Sequence, residues 1–155
     1  MSAGGTVARA AASDAERDRP LCCGRTYLGA GLVDEAKREA RRMVEAGKGG
    51  SIINLGSGCN KHAFPKLVDY TASKGGIEQL TKVSAVELGP HQIRVNCVAP
   101  GAIETDFGGG AVRDNAQLNA LIAGQTALGR VGRPDDIGPV MAALLSDGLG
   151  WVNGQ

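Results

Sequence analysis

Tyr70 and Lys74 stand four residues apart, and Ser57 lies thirteen residues before the tyrosine. On a helix, residues four apart share a face, so the phenol and the ammonium would be neighbours. A free tyrosine has a pKa of about 10, too high for efficient proton transfer at neutral pH. A neighbouring ammonium favours the phenolate and brings that value down. A serine hydroxyl can hydrogen-bond a carbonyl or alcohol oxygen and hold it against the tyrosine. Together these groups can exchange a proton at an oxygen while a hydride moves at the adjacent carbon. No protein side chain carries hydride, so a cofactor must supply it. By itself a Y-x-x-x-K pair is more often an exposed pair on a helix surface, so the elements that carry it decide its meaning.

Those elements can be read from the pattern. Leu32, Val33, Ala36, Ala40, Met43 and Val44 follow helical spacing, and Gly47 suits a left-handed stop. Ser51 to Leu55 is a short apolar run expected to form a buried strand. Gly56 to Lys66 reads as a loop. A long helix is expected from Leu67 to Leu88, ending before Gly89-Pro90. Its apolar positions fall on two sides, Ile77, Leu80, Ser84 and Leu88 on one and Val83 and Val86 on the other, which predicts two packing partners. Ile93 to Val98 reads as a second strand. A strand, a helix and a strand make a βαβ unit with a parallel pair. Ser57 then leaves the end of the first strand, where open parallel sheets bind ligands. After Pro100-Gly101 the pattern is irregular through Gly108, Gly109 and Gly110, with one short helix expected over Asp114 to Ala123. The last helix begins at Pro134, carries Asp135 and Asp136 in its first turn, and ends by Asp147-Gly148. Residues 1–20 show no sustained apolar period and read as a disordered tail. Residues 21–155 read as one domain.

Composition excludes several functions. Lys and Arg number 17 against 16 Asp and Glu, so there is no basic footprint for nucleic acid. Aromatic residues are 3%, too few for a base-stacking platform. No apolar stretch approaches the ~18 residues of a membrane span. Cys22, Cys23, Cys59 and Cys97 form no C-x-x-C pair, and His62 and His91 fall at no zinc-ligand spacing, so no metal is expected. No apolar leader follows Met1. The expectation is a soluble chain of the cytoplasm.

Four segments then carry a resemblance. Gly49 to Asn54 (GGSIIN), Asp69 to Gly76 (DYTASKGG), Ile93 to Gly101 (IRVNCVAPG) and Gly129 to Ile137 (GRVGRPDDI) together closely resemble the short-chain dehydrogenase/reductase family, and the likeness runs from about Arg42 to Gln155. It implies an α/β, Rossmann-like doubly wound fold and an NAD- or NADP-dependent oxidoreductase acting on a small alcohol or carbonyl substrate. Ser57 matches the substrate-positioning serine, Tyr70 the catalytic acid/base, and Lys74 the lysine that tunes the tyrosine and holds the nicotinamide ribose. Pro100, Gly101 and Ile103 match the stretch that lies against the nicotinamide, and Thr105 a threonine that contacts the cofactor. Residues from about Asp106 to Thr126 correspond to the variable substrate loop. Association into a homo-oligomer through the helices near 32–46 and 67–88 is also implied. Asn96 reads as a structural hydrogen-bonder.

The chain departs from the family pattern in its first part. The T-G-x-x-x-G-x-G turn that receives the cofactor pyrophosphate is not found; Gly24, Gly29 and Gly31 have a first gap one residue too long. The N-N-A-G motif is missing, and no asparagine stands near Leu28 to Ala30, where the family's helix asparagine is expected. The expectation is therefore a partial fold lacking the N-terminal half. Both flanks of its strand pair would present unpaired backbone groups, with no final strand after Gln155. The alternative reading is a catalytically silent fragment or interaction protein that binds no dinucleotide.

Overall fold

The computed structural model describes residues 33–61 and 65–155. The tail over residues 1–20 and the glycine candidates Gly24, Gly29 and Gly31 lie outside the described residues. The chain runs through helix α1 (Val33–Ala46), strand β1 (Gly50–Leu55), helix α2 (Val68–Leu88), strand β2 (Ile93–Val98), helices α3 (Ala111–Asp114) and α4 (Ala116–Gln125), and helix α5 (Pro134–Leu145). The strands pair in parallel, with Ile53 opposite Asn96 and Leu55 opposite Val98. The expected βαβ unit is thus present, and the fold is α/β.

Alternation along β1 gives the sheet two different faces. Asn54 donates to the Thr81 hydroxyl of α2 at 2.9 Å, while Ser51 donates to the Leu144 carbonyl at the end of α5 at 3.2 Å. One helix therefore covers each face. The buried apolar centre is Ile53, Ala85, Ile93, Val95 and Val131. Small residues decide which side of α2 meets the sheet: Thr81 and Ala85 are its buried positions, and they let the helix backbone approach the strands. The expected pair of apolar sides is corrected here. Leu80, Val83 and Val86 are all exposed, so α2 packs through one side among the described residues.

The short helix expected over Asp114 to Ala123 is present as α4, shifted by two residues, and the separate turn of α3 precedes it. Asn115 takes an extended conformation and its side chain accepts the Leu118 N–H at 3.0 Å, ending α3 and capping α4. The last helix stops at Leu145, earlier than Asp147-Gly148, which forms a separate short turn. At its start the Asp136 carboxylate takes the Arg130 guanidinium at 2.6 and 2.8 Å and the Arg133 backbone N–H at 2.7 Å. These bonds hold its carboxyl well below the usual range.

The free flank expected on β2 is also corrected. Gly154 N–H donates to the Val95 carbonyl at 2.8 Å, Cys97 N–H donates to the Gln155 carbonyl at 2.6 Å, and the Asn153 side chain accepts the Val95 N–H at 2.8 Å. Residues 153–155 therefore lie along that edge and satisfy its backbone groups. Arg94 reaches the Ser146 carbonyl at 3.1 Å from the same region and ties down the end of α5. Among the described residues no helix is long and apolar enough to cross a membrane.

The turn into β1 gives a first prediction. Gly49 has φ +69°, and a Cβ there would stand 2.9 Å from the Gln92 carbonyl oxygen, which accepts the Gly50 N–H at 3.1 Å. Gly49→Ala combines a left-handed penalty of about 1–2 kcal/mol with displacement of the first inter-strand bond. A loss of roughly 2–3 kcal/mol is expected, or a fall in Tm of roughly 5–10 °C. Gly47 (φ +63°) has no atom within 4 Å of a Cβ, so Gly47→Ala should show the left-handed penalty alone. Thermal unfolding of the two variants side by side checks the difference.

Candidate active site

Parallel pairing brings the C-terminal ends of β1 and β2 together, and the candidate residues gather there. β1 leads into Gly56 and Ser57, and β2 into Pro100 and Gly101. The two exits are joined by a bond from Gly58 N–H to the Pro100 carbonyl at 2.9 Å. A Cβ on Gly58 would meet Pro100 O at 3.4 Å and Gly101 Cα at 3.6 Å, so the segments pass at van der Waals distance. Ser57 is buried at 6% exposure. Its Oγ accepts the Cys59 N–H at 3.2 Å and caps the short turn Gly58–Asn60. That leaves the hydroxyl proton free to donate.

Tyr70 and Lys74 lie on α2, both half-buried. The expected shared face is present: Lys74 Nζ sits 5.8 Å from the centroid of the Tyr70 ring. The ammonium donates to the Leu55 carbonyl at 3.0 Å, an anchor that sequence spacing does not reveal. The fixed charge therefore stands at the end of the strand that delivers Ser57. Among the described residues no hydrogen bond joins Ser57 Oγ to Tyr70 Oη.

The stretch matched to the nicotinamide is held by α5's entry. Ile103 pairs with Gly132 in a parallel bridge, Glu104 N–H donates to the Gly132 carbonyl at 2.9 Å, and Gly132 N–H to the Ala102 carbonyl at 2.9 Å. Gly101 has open space where a Cβ would stand. Thr105 Oγ1 accepts the Phe107 N–H at 3.3 Å, which leaves its own O–H able to donate. Asn96 is a structural residue, 1% exposed, donating to the Val152 carbonyl at 2.8 Å and accepting the Gln155 N–H at 3.1 Å.

Three features near the site were not found from the sequence. Thr81 receives Asn54 and itself donates to the Ile77 carbonyl at 2.8 Å, locking β1 onto α2; a polar residue among apolar helix positions was its only signal. Asn60 buries both side-chain polar atoms without a partner. Phe107 places its ring 6.1 Å from that of Tyr70, across a separation that no local pattern spans. Among the described residues no group of His, Cys, Asp and Glu could hold a metal.

Cys97 lies behind this site, where a Cβ on Gly56 would meet its Sγ at 2.8 Å. Burial pushes its thiol above the ordinary value of 9.0, against the lowering effect of a backbone bond at Gly56. The thiolate is the nucleophile, so alkylation of Cys97 by iodoacetamide at pH 8 should be slower in the folded chain than in urea. Above pH 9 the unfolded chain loses this proton first, so stability should fall as pH rises through that range. Cys97→Ala should flatten the decline, read from urea midpoints between pH 8 and 10.

Known proteins resemble this chain in sequence and in fold. The family profile described as enoyl-(acyl carrier protein) reductase matches residues 30–155. A short-chain type dehydrogenase/reductase of Picea abies is 40% identical over 120 residues, covering 76% of this chain and 43% of the relative. A gluconate 5-dehydrogenase from Burkholderia cenocepacia, solved with NADP and tartrate, superposes with a TM-score of 0.73 at 32% identity, over 80% of this chain and 48% of that one. An NAD+-bound xylitol dehydrogenase superposes with a TM-score of 0.69 at 27% identity, over 81% of this chain and 53% of that one. This chain thus spans about half the length of the proteins it matches. With a profile that covers most of the chain and the same parallel βαβ core, this chain belongs to the short-chain dehydrogenase/reductase family of oxidoreductases.

Proposed function

We propose that this chain carries the proton-exchanging centre of an NAD- or NADP-dependent oxidoreductase that interconverts an alcohol and a ketone or aldehyde, with Ser57, Tyr70 and Lys74 as its working residues. The observation that carries the reading is that one strand end serves all three. The Leu55 carbonyl holds Lys74 Nζ at 3.0 Å, the Tyr70 ring lies 5.8 Å from that nitrogen, and buried Ser57 follows two residues after Leu55.

In this reading the Ser57 hydroxyl donates to the substrate oxygen and holds it in place. Tyr70 Oη gives its proton to that oxygen in reduction and takes one from it in oxidation. The Lys74 ammonium stabilises the negative charge that develops on the phenol oxygen as the proton leaves. A bound nicotinamide would supply the hydride exchanged at the carbon. Open space at Gly101 and the free hydroxyl proton of Thr105 fit the nicotinamide end of such a cofactor. Lys74, Pro100, Gly101, Ile103 and Thr105, with Tyr70, are the residues assigned to hold it. The two superposed dehydrogenases were solved with NADP and with NAD+, so both cofactors are named.

Titration of the purified chain with NADH and NADPH, followed by nicotinamide fluorescence, tests the proposal. Saturable, stoichiometric binding is expected. No binding of either would favour the second reading, a silent chain, which the missing T-G-x-x-x-G-x-G turn supports. Association of two copies through the helices near 32–46 and 67–88 belongs to the same proposal. It is supported by the exposure of Val83 and Val86 on α2. Sedimentation velocity would then show a dimer that the Val83→Lys, Val86→Lys double variant reduces to a monomer.

A further inference from the structure

Phe107 is 74% exposed although its ring rests against another. The centroid lies 6.1 Å from that of Tyr70, with the planes tilted by 47°, within the range of favourable aromatic pairs. The chain that carries it is tied down on both sides. Phe107 N–H donates to Thr105 Oγ1 at 3.3 Å, and the Asp106 carboxylate takes Arg113 at 2.6 Å. Arg113 also grips Asp114 at 2.7 and 2.8 Å, so these loop charges are paired with one another. What this loop sets beside Tyr70 is therefore an aromatic surface, with one side on the phenol and the rest in water.

The position has a chemical consequence. A substrate oxygen that exchanges a proton with Tyr70 Oη sits within hydrogen-bond distance of it. The substituents on its carbon are then a few ångströms away, in reach of a ring packed on the same tyrosine. A flat or apolar substituent there would cover aromatic surface now in water, whereas a polyhydroxylated one would lose water from its hydroxyls against a ring that returns no hydrogen bond. The bond from Phe107 N–H to Thr105 Oγ1 also puts this wall in one turn with a residue assigned to the cofactor.

We propose that Phe107 is a specificity-determining residue, whose ring selects ketones and secondary alcohols bearing a flat or apolar group over polyhydroxylated ones. The inference rests on Tyr70 being the proton-exchanging group. It is tested by binding of 1-phenylethanol and of glycerol to the whole chain, measured by calorimetry and ligand-observed NMR. The wild-type chain should prefer 1-phenylethanol. Phe107→Ala should weaken it about tenfold and bind glycerol no more weakly than the wild type, since the desolvating ring is gone, and Phe107→Tyr should restore the preference, which a merely structural role would not require. Equal binding by the wild type and Phe107→Ala, or no binding of 1-phenylethanol by the wild type, would overturn the proposal. Tyr70→Phe keeps a ring under Phe107 and separates the two readings. Lost turnover in that variant with no effect of Phe107→Ala sinks the specificity role alone. Unchanged turnover in Tyr70→Phe sinks the proton-exchange reading, and with it the basis of this inference.

Discussion

Replacing Tyr70 with phenylalanine is expected to lower turnover of an alcohol or ketone by roughly 10²–10⁴-fold, the usual worth of a positioned general acid or base. The change removes one oxygen and little else. The ring remains to face Phe107 and the Lys74 ammonium, whose anchor on the Leu55 carbonyl does not involve Tyr70. Stability should therefore move by less than about 0.5 kcal/mol, as for a substitution away from buried polar contacts. Binding of reduced cofactor should fall far less than turnover, because Lys74, Pro100, Gly101, Ile103 and Thr105 remain of the residues proposed to hold it. The loss should fall on kcat rather than KM, the mark of an interaction made in the transition state. Nicotinamide absorbance reports the rate, and a melting curve on the same sample shows that the fold is intact. A variant that turns over at the wild-type rate would remove Tyr70 from the mechanism.

The largest effect on stability is expected at Asn96. It is 1% exposed and uses both ends of its amide, donating to the Val152 carbonyl at 2.8 Å and accepting the Gln155 N–H at 3.1 Å. Those bonds run beside the backbone bonds that lay residues 153–155 along β2. Asn96→Ala leaves the Gln155 N–H without its partner and the Val152 carbonyl with only the Arg94 guanidinium at 3.4 Å, a lost bond to a buried group costing about 1–3 kcal/mol, and it opens a small cavity. The total should be about 3 kcal/mol, seen as a fall in Tm of roughly 10 °C. Faster hydrogen exchange at the Cys97 and Gly154 amides should accompany it, because residues 153–155 would lose one of the bonds that hold them on β2. A change of under about 0.5 kcal/mol would mean that the backbone bonds alone hold this edge.

The parts of the molecule legible from sequence are those governed by near neighbours. The βαβ order follows from apolar runs at Ser51–Leu55 and Ile93–Val98 with a helical stretch between them. The proximity of Tyr70 to Lys74 follows from one turn of helix. The family itself was legible from four short segments in order. Elsewhere neighbours were insufficient. Asn115 sets where α4 begins because its side chain takes the Leu118 N–H, a bond that apolar periodicity does not register. The side of α2 that meets the sheet is chosen by Thr81 and Ala85, since close approach to strands favours small residues over the larger Leu80 and Val83.

What the sequence by itself determined is the set of chemical groups and their local frames: a phenol and an ammonium on one helix face, a serine at a strand exit, and a parallel pair to bring two exits together. What only the tertiary structure decided is which distant groups complete them. The Leu55 carbonyl pins Lys74, Phe107 rests on Tyr70, and residues 153–155 cover the edge of β2. Each of these joins groups far apart along the chain. Spacing along a chain constrains only residues within a turn or two, whereas contacts across the fold are set by packing and by the need of every buried polar group for a partner.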